Sequence, residues 1–75
     1  MTLDLTRFKD WFSEERTRQG LSQMDVERAS GISHVQICNY EKGADIRISN
    51  LAKLLGALGY EVKITLRRKS NENNN

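Results

Sequence analysis

The sequence predicts one mainly α-helical domain: four helices followed by a single β-strand. A chain of 75 residues can bury only one small core. Apolar residues recur at helical spacing in four successive segments, and each of these segments ends at a glycine. After Gly59 the apolar period falls from 3.6 to 2, which is typical of a half-buried strand.

The first helix is predicted from about Leu5 to Gln19, ahead of Gly20. Its apolar stripe, expected in the core or at an interface, consists of Leu5, Phe8, Trp11 and Phe12. Charged residues lie between the stripe positions and are expected to face solvent; the acidic ones include Asp10, Glu14 and Glu15.

Two short helices follow, and each opens with a capping residue. Ser22 is a favourable N-cap and Asp25 completes a capping box, and Ser33 and Gln36 have the same spacing. The second helix carries Met24, Val26 and Ala29, and the third runs through Ile37 and Tyr40 to Gly43. The turn between them spans three or four residues and contains Gly31. Two helices joined in this way form a helix-turn-helix, whose second helix enters the DNA major groove.

The fourth helix is predicted from about Arg47 or Ser49 to Leu58, before Gly59. Its apolar stripe consists of Ile48, Leu51, Leu54, Leu55 and Leu58. Beyond it, Tyr60, Val62, Ile64 and Leu66 alternate with Glu61, Lys63, Thr65 and Arg67. We therefore divide the chain into a DNA-binding domain at 1–59, a dimerisation strand with a basic end at 60–69, and a disordered Asn-rich tail at 70–75.

The segment from Gly20 to Gly43 resembles the Xre/Cro/CI family of phage and bacterial repressors, and the resemblance extends from Phe8 to Gly59. The matching residues are Gly20, Leu21, Gln23, Gly31, Ser33, Ile37, Glu41 and Gly43. The resemblance implies a lambda-repressor-like bundle of four or five helices and a structural ion pair between Arg16 and Glu41. Glu27 stands where the family usually has alanine. Either it clashes with the neighbouring helix or, as we expect, it accepts backbone N–H groups near the start of the third helix.

Residues of the third helix are the candidates for reading DNA bases. The resemblance implies base contacts by His34, Val35 and Asn39, with Gln36 and Cys38 beside them. Val35 suits a thymine methyl group, Asn39 suits adenine, and His34 can donate to guanine or phosphate. The alternative for His34 is an exposed residue without a contact. Expected phosphate contacts are Gln23, Ser33, Arg28, Lys42 and Arg47; the cluster Arg67, Arg68 and Lys69 is either a further contact or solvated charge.

The predicted strand needs a partner for its backbone, and the chain offers no second convincing strand. The same segment of a second copy would supply it, with Tyr60, Val62, Ile64 and Leu66 at the dimer interface. A lone Cys38 excludes an internal disulfide, which also favours stabilisation by a second chain. A strand placed there resembles that of HipB-type antitoxins. The alternatives are a strand folded back on residues 46–48 or a fifth helix.

These features favour a homodimeric, sequence-specific transcriptional regulator, a repressor that binds double-stranded DNA at an inverted repeat. One alternative is an antitoxin that represses its own operon and binds a toxin through the acidic first helix or the Asn-rich tail. Another is an interaction module without DNA binding.

No catalytic residue, metal or cofactor is expected, because no triad, phosphate loop or ligand cluster occurs. Without a spanning segment or signal peptide, a cytoplasmic protein is expected. The net charge of +2 permits nucleic acid but does not require it.

Overall fold

The computed structural model describes residues 7–68, which form a mainly helical bundle. Its helices are α1 (Phe8–Arg18), α2 (Gln23–Ser30), α3 (His34–Glu41) and α4 (Ile48–Ala57). All four predicted helices are present, which confirms the predicted mainly helical fold class. The stripe position at Leu5 lies outside the described residues. No helix within them is long and apolar enough to cross a membrane.

The core lies where α2 packs on α3 and α4 and where α1 packs on α3. Its buried side chains are Phe8, Phe12, Val26, Ile32, Ile37, Tyr40, Leu51, Leu54, Leu55 and Leu58. Trp11 is half-buried against this cluster. The expectation that Ile48 joins the stripe is wrong, because its side chain is 61% exposed at the first position of α4. Met24 is likewise exposed on α2.

Local hydrogen bonds set where α2 and α3 begin. The predicted capping box at α2 is confirmed: Ser22 Oγ accepts from the Asp25 N–H at 3.0 Å, and Asp25 Oδ2 accepts from the Ser22 N–H at 2.8 Å. At α3, Ser33 Oγ accepts from the Gln36 N–H at 3.2 Å. Gly31 ends α2 with φ +80°, a left-handed conformation that disfavours residues with a Cβ. These local interactions therefore define where α2 begins and ends and where α3 begins.

The segment that follows α4 contacts α1 of its own chain. The Tyr60 ring meets Trp11 edge-on at 5.5 Å, and its hydroxyl donates to Glu15 at 2.9 Å. Val62 packs half-buried against the core, whereas Ile64 and Leu66 are 61% and 90% exposed. Of the four predicted interface residues, Tyr60 and Val62 therefore contact their own chain, with Tyr60 still 36% exposed, and Ile64 and Leu66 are the most exposed.

In the single chain, residues 60–68 form no strand. Residues 60–68 form neither a ladder with residues 46–48 nor a fifth helix. A ladder needs two strands, and an alternating segment cannot form one alone. The similarity to HipB-type antitoxins is thus not seen in the described part of this segment, and Lys69 and residues 70–75 lie outside it.

Candidate nucleic-acid interface

Helix α3 has one buried face and one exposed face. Ile37 and Tyr40 point into the core, and the Tyr40 hydroxyl accepts from Asn50 Nδ2 at 3.2 Å. The opposite face carries the predicted base contacts: His34, Val35, Gln36 and Asn39 are exposed and Cys38 is half-buried. The apolar Val35 side chain is 56% exposed on this face. The face is therefore a continuous row of side chains with donors, acceptors and one apolar group.

The C-terminal end of α3 is held by a buried ion pair. The Arg16 guanidinium donates to both oxygens of Glu41, from Nε at 2.8 Å and from Nη2 at 3.0 Å. It also donates from Nη1 to the Leu21 carbonyl at 2.7 Å. The hydrogen bonds to Glu41 raise the pKa of Arg16 above its ordinary value. The pair implied by the family resemblance therefore forms, and Arg16 joins α1 and the turn before α2 to α3.

Gln23 adds to the same cluster. Its Nε2 donates to Glu41 Oε1 at 3.2 Å, so one amide hydrogen braces α3. The side chain is half-buried at the first position of α2. This hydrogen bond joins the start of α2 to the end of α3.

The N-terminal end of α3 is held by Glu27 of α2. Its Oε1 accepts from the backbone N–H of His34 at 2.9 Å, as predicted, and no clash occurs. The same oxygen lies 2.7 Å from the His34 ring Nδ1, a contact that the sequence reasoning missed. These bonds, from the ring first and the backbone second, lower the pKa of Glu27. The residue that departs from the family pattern therefore ties the two helices together.

The candidate phosphate contacts lie on α2, the turn and both ends of the loop before α4. Ser33 caps α3, Lys42 follows its last turn, and Arg47 is the N-cap residue of α4. Within residues 7–68, Lys42 and Arg47 are exposed and form no ion pair. Arg28 is also exposed but pairs with Asp25, so part of its charge is compensated. Lys42 and Arg47 are therefore the stronger candidates.

The comparison with protein families matches residues 13–64 to the helix-turn-helix family of the Xre/Cro/CI type. The chain belongs to this helix-turn-helix family. The match covers α2, the turn, α3 and α4. This domain is found in DNA-binding transcription regulators, which agrees with the exposed face of α3. No curated protein and no solved structure matches the chain.

Beside the helix-turn-helix, a buried carboxylate joins α1 to the end of the domain. Glu15 accepts from Arg18 Nε at 2.8 Å, Gln19 Nε2 at 2.9 Å and the Tyr60 hydroxyl at 2.9 Å. Gln19 also donates to the Leu58 carbonyl at 2.9 Å. The expectation that Glu15 faces solvent is wrong, because Phe8, Phe12 and Glu15 share one face of α1. Glu15 is thus not available to a partner, unlike the exposed Asp10 and Glu14.

This helix-turn-helix domain should lose stability in acid because of Glu15. Hydrogen bonds, led by those from Arg18, lower the Glu15 pKa from 4.5 to about 2. The unfolded chain then takes up this proton at a higher pH than the folded chain does, so stability falls as the pH drops from 4.5 toward about 2. Urea unfolding at several pH values measures this loss. Glu15→Gln should flatten the acid slope, and Glu14→Gln is the control for removing one charge. An equal slope in the Glu15→Gln variant would contradict the assignment.

Proposed function

We propose that the chain is a homodimeric transcriptional repressor that inserts α3 into the major groove of an inverted-repeat operator. The observation that carries this proposal is the row of exposed side chains on a helix fixed at both ends. Glu27 holds the first residue of α3, and Arg16 holds the last through Glu41. A helix held in this way presents its side chains in one geometry, which direct readout of bases requires.

Base recognition is assigned to three side chains of α3, and two others flank them. Val35 and Asn39 are four residues apart, so they lie on one face about one helical turn apart. The Asn39 amide can donate to and accept from adenine N7 and N6, and Val35 can pack on the methyl group of a neighbouring thymine. His34 contacts a base at the helix start. Gln36 and Cys38 lie at the margins of this face.

Phosphate contacts fix the orientation of α3 without reading sequence. We assign them to Lys42 and Arg47, which follow α3, and to Ser33 at its N-terminal end, whose hydroxyl accepts from the Gln36 N–H and can donate its hydrogen to a phosphate. Gln23 and Arg28 of α2 complete the set, and both are weaker candidates because Gln23 already donates to Glu41 and Arg28 is paired with Asp25. The resemblance to phage and bacterial repressors favours repression. A bound dimer would repress transcription by occupying promoter DNA.

Substitution of Asn39 and Lys42 should separate the two kinds of contact. Asn39→Ala should weaken binding to the selected operator by about 1 to 3 kcal/mol and relax the preference at one base pair. Lys42→Ala should weaken binding to every sequence alike. It should also lower the number of counterions released on binding, given by the salt dependence of the affinity, by about one. The measurement is titration of a selected operator and of random DNA at several salt concentrations.

Three outcomes of that titration contradict parts of the proposal. Equal losses on operator and random DNA for both variants would contradict the division between readout and positioning. Unchanged affinities in both variants would remove α3 from the interface. If the unchanged protein binds the selected operator no better than random DNA, sequence-specific recognition is contradicted and an interaction module with this fold is favoured.

The dimer is assigned to the segment after Val62. Ile64 and Leu66 are exposed in the single chain and alternate with polar residues. Pairing of this segment with its copy in a second chain would bury both residues and satisfy the backbone groups. Two α3 helices related by a two-fold axis would lie about 34 Å apart, one turn of DNA, which matches an inverted repeat.

A further inference from the structure

Glu27 contacts His34 at two points with a single oxygen. Oε1 lies 2.9 Å from the His34 backbone nitrogen and 2.7 Å from the ring Nδ1. The two side chains are 37% and 47% exposed, so they meet at the surface where α2 and α3 converge. The imidazole is therefore fixed relative to the start of α3 by a residue on another helix.

The chemistry of this contact determines where the imidazole carries its proton. An ionised carboxylate only accepts hydrogen bonds, so the Nδ1 that faces it must carry hydrogen. A neutral imidazole has one such hydrogen, and its Nε2 then has a lone pair and no hydrogen. Within residues 7–68 no side chain or backbone group hydrogen-bonds to Nε2. The nearest other charged residues on α2, Asp25 and Arg28, pair with each other.

We propose that Glu27 is a positioning residue that makes neutral His34 present Nε2 to DNA as a hydrogen-bond acceptor. In the major groove, the donors that match an acceptor are adenine N6 and cytosine N4. The guanine edge offers only the acceptors O6 and N7, which Nε2 without a hydrogen cannot satisfy. Glu27 thus selects the base class at the His34 position and disfavours guanine there. This inference rests on the proposed insertion of α3 into the major groove.

The first test is the tautomer of His34 in the free protein, which does not depend on DNA. Long-range ¹⁵N spectra distinguish the two tautomers and are recorded at a pH where the same spectra show a neutral ring. In the unchanged protein, the hydrogen should lie on Nδ1. Glu27→Gln should move the population toward Nε2–H, because a neutral amide can donate to Nδ1 as well as accept from it. Glu14→Gln removes an exposed carboxylate from α1 and should change nothing. An Nε2–H tautomer in the unchanged protein would overturn the proposal.

The second test is base preference, measured at the same pH, at which the ring is neutral, on operators that differ at the base pair opposite His34. The unchanged protein should prefer adenine or cytosine over guanine by at least about fivefold, and Glu27→Gln should lose that preference. In a His34→Ala background, the same Glu27 substitution should have no effect on preference. A preference change that persists in that background would overturn the proposal, because Glu27 would then contact the base itself.

The two tests separate this inference from the function on which it rests. Binding that is equal for all sequences, with the Nδ1–H tautomer in place, would refute the proposed readout and leave the role of Glu27 in orienting the ring supported. Selective binding together with an Nε2–H tautomer would refute the role of Glu27 in orienting the ring and leave the proposed readout by α3 supported. Circular dichroism of each variant measures whether the total helix content is kept, which the half-exposed position of Glu27 favours.

Discussion

Replacing Arg16 with alanine should lower the free energy of unfolding by about 3 kcal/mol, a large part of the stability of a domain this small. The side chains of Arg16 and Glu41 are only 14% and 10% exposed. Removing the guanidinium leaves the Glu41 carboxylate buried with one remaining side-chain donor, from Gln23. The Leu21 carbonyl also loses its donor. Both groups would then be buried without full compensation.

Urea unfolding followed by Trp11 fluorescence measures this loss. Arg16→Lys should recover only part of the stability, because an ammonium group cannot donate to both carboxylate oxygens and the Leu21 carbonyl in the same planar geometry. Lys53→Ala removes a positive charge from the exposed surface of α4 and is the control. A loss below about 1 kcal/mol for Arg16→Ala, equal to that of the control, would show that the pair behaves like a surface ion pair.

Helix boundaries and caps were predictable because their hydrogen bonds span only three or four residues. Ser22 with Asp25, and Ser33 with the Gln36 N–H, form the bonds that their spacing indicates. The glycine at 31 adopts the left-handed conformation that ends α2. Because these interactions depend on local sequence alone, the sequence predicts the start of α3 and its exposed face without knowledge of any tertiary contact.

Burial was less predictable, because periodicity indicates a face and not what covers it. Ile48 continues the stripe of α4 by spacing but lies exposed at the start of the helix. Glu15 shows the opposite case: its charge suggests solvent, yet it follows the Phe8 and Phe12 face and meets Tyr60, 45 residues away. The spacing of Glu15 relative to the two phenylalanines was the signal that could have revealed this.

At the candidate site, too, some contacts were predictable from the sequence and others were not. The Glu27 bond to the His34 backbone follows from the position of Glu27 beside the turn, and it was predicted. The ring contact depends on the rotamers of two side chains, which no spacing rule specifies. The Arg16–Glu41 pair joins residues 25 apart in sequence and was available only through the family resemblance.

Substitution of Ile64 with aspartate should convert the proposed dimer into a monomer and weaken binding to an inverted repeat by about 100-fold or more. The substitution leaves Tyr60 and Val62 in place, so the contacts of this segment with its own α1 and core are kept. Ile64 is exposed in the single chain, and the folded domain should tolerate the change. Light scattering coupled to gel filtration measures the mass, and titration of one half-site and of the full repeat measures the affinities.

The reason for so large an effect is that the second half-site is bound intramolecularly only while the two chains stay joined. In an antiparallel ribbon the Ile64 side chains of the two chains would lie on the same face. Aspartate at both positions would bury two carboxylates without compensation. Thr65→Asp places the same charge on the opposite face of the segment and is the matched control, which should remain dimeric. Half-site affinity should be equal in all three proteins. A monomeric unchanged chain, or a dimer that survives Ile64→Asp, would show that residues 64–66 do not join two copies.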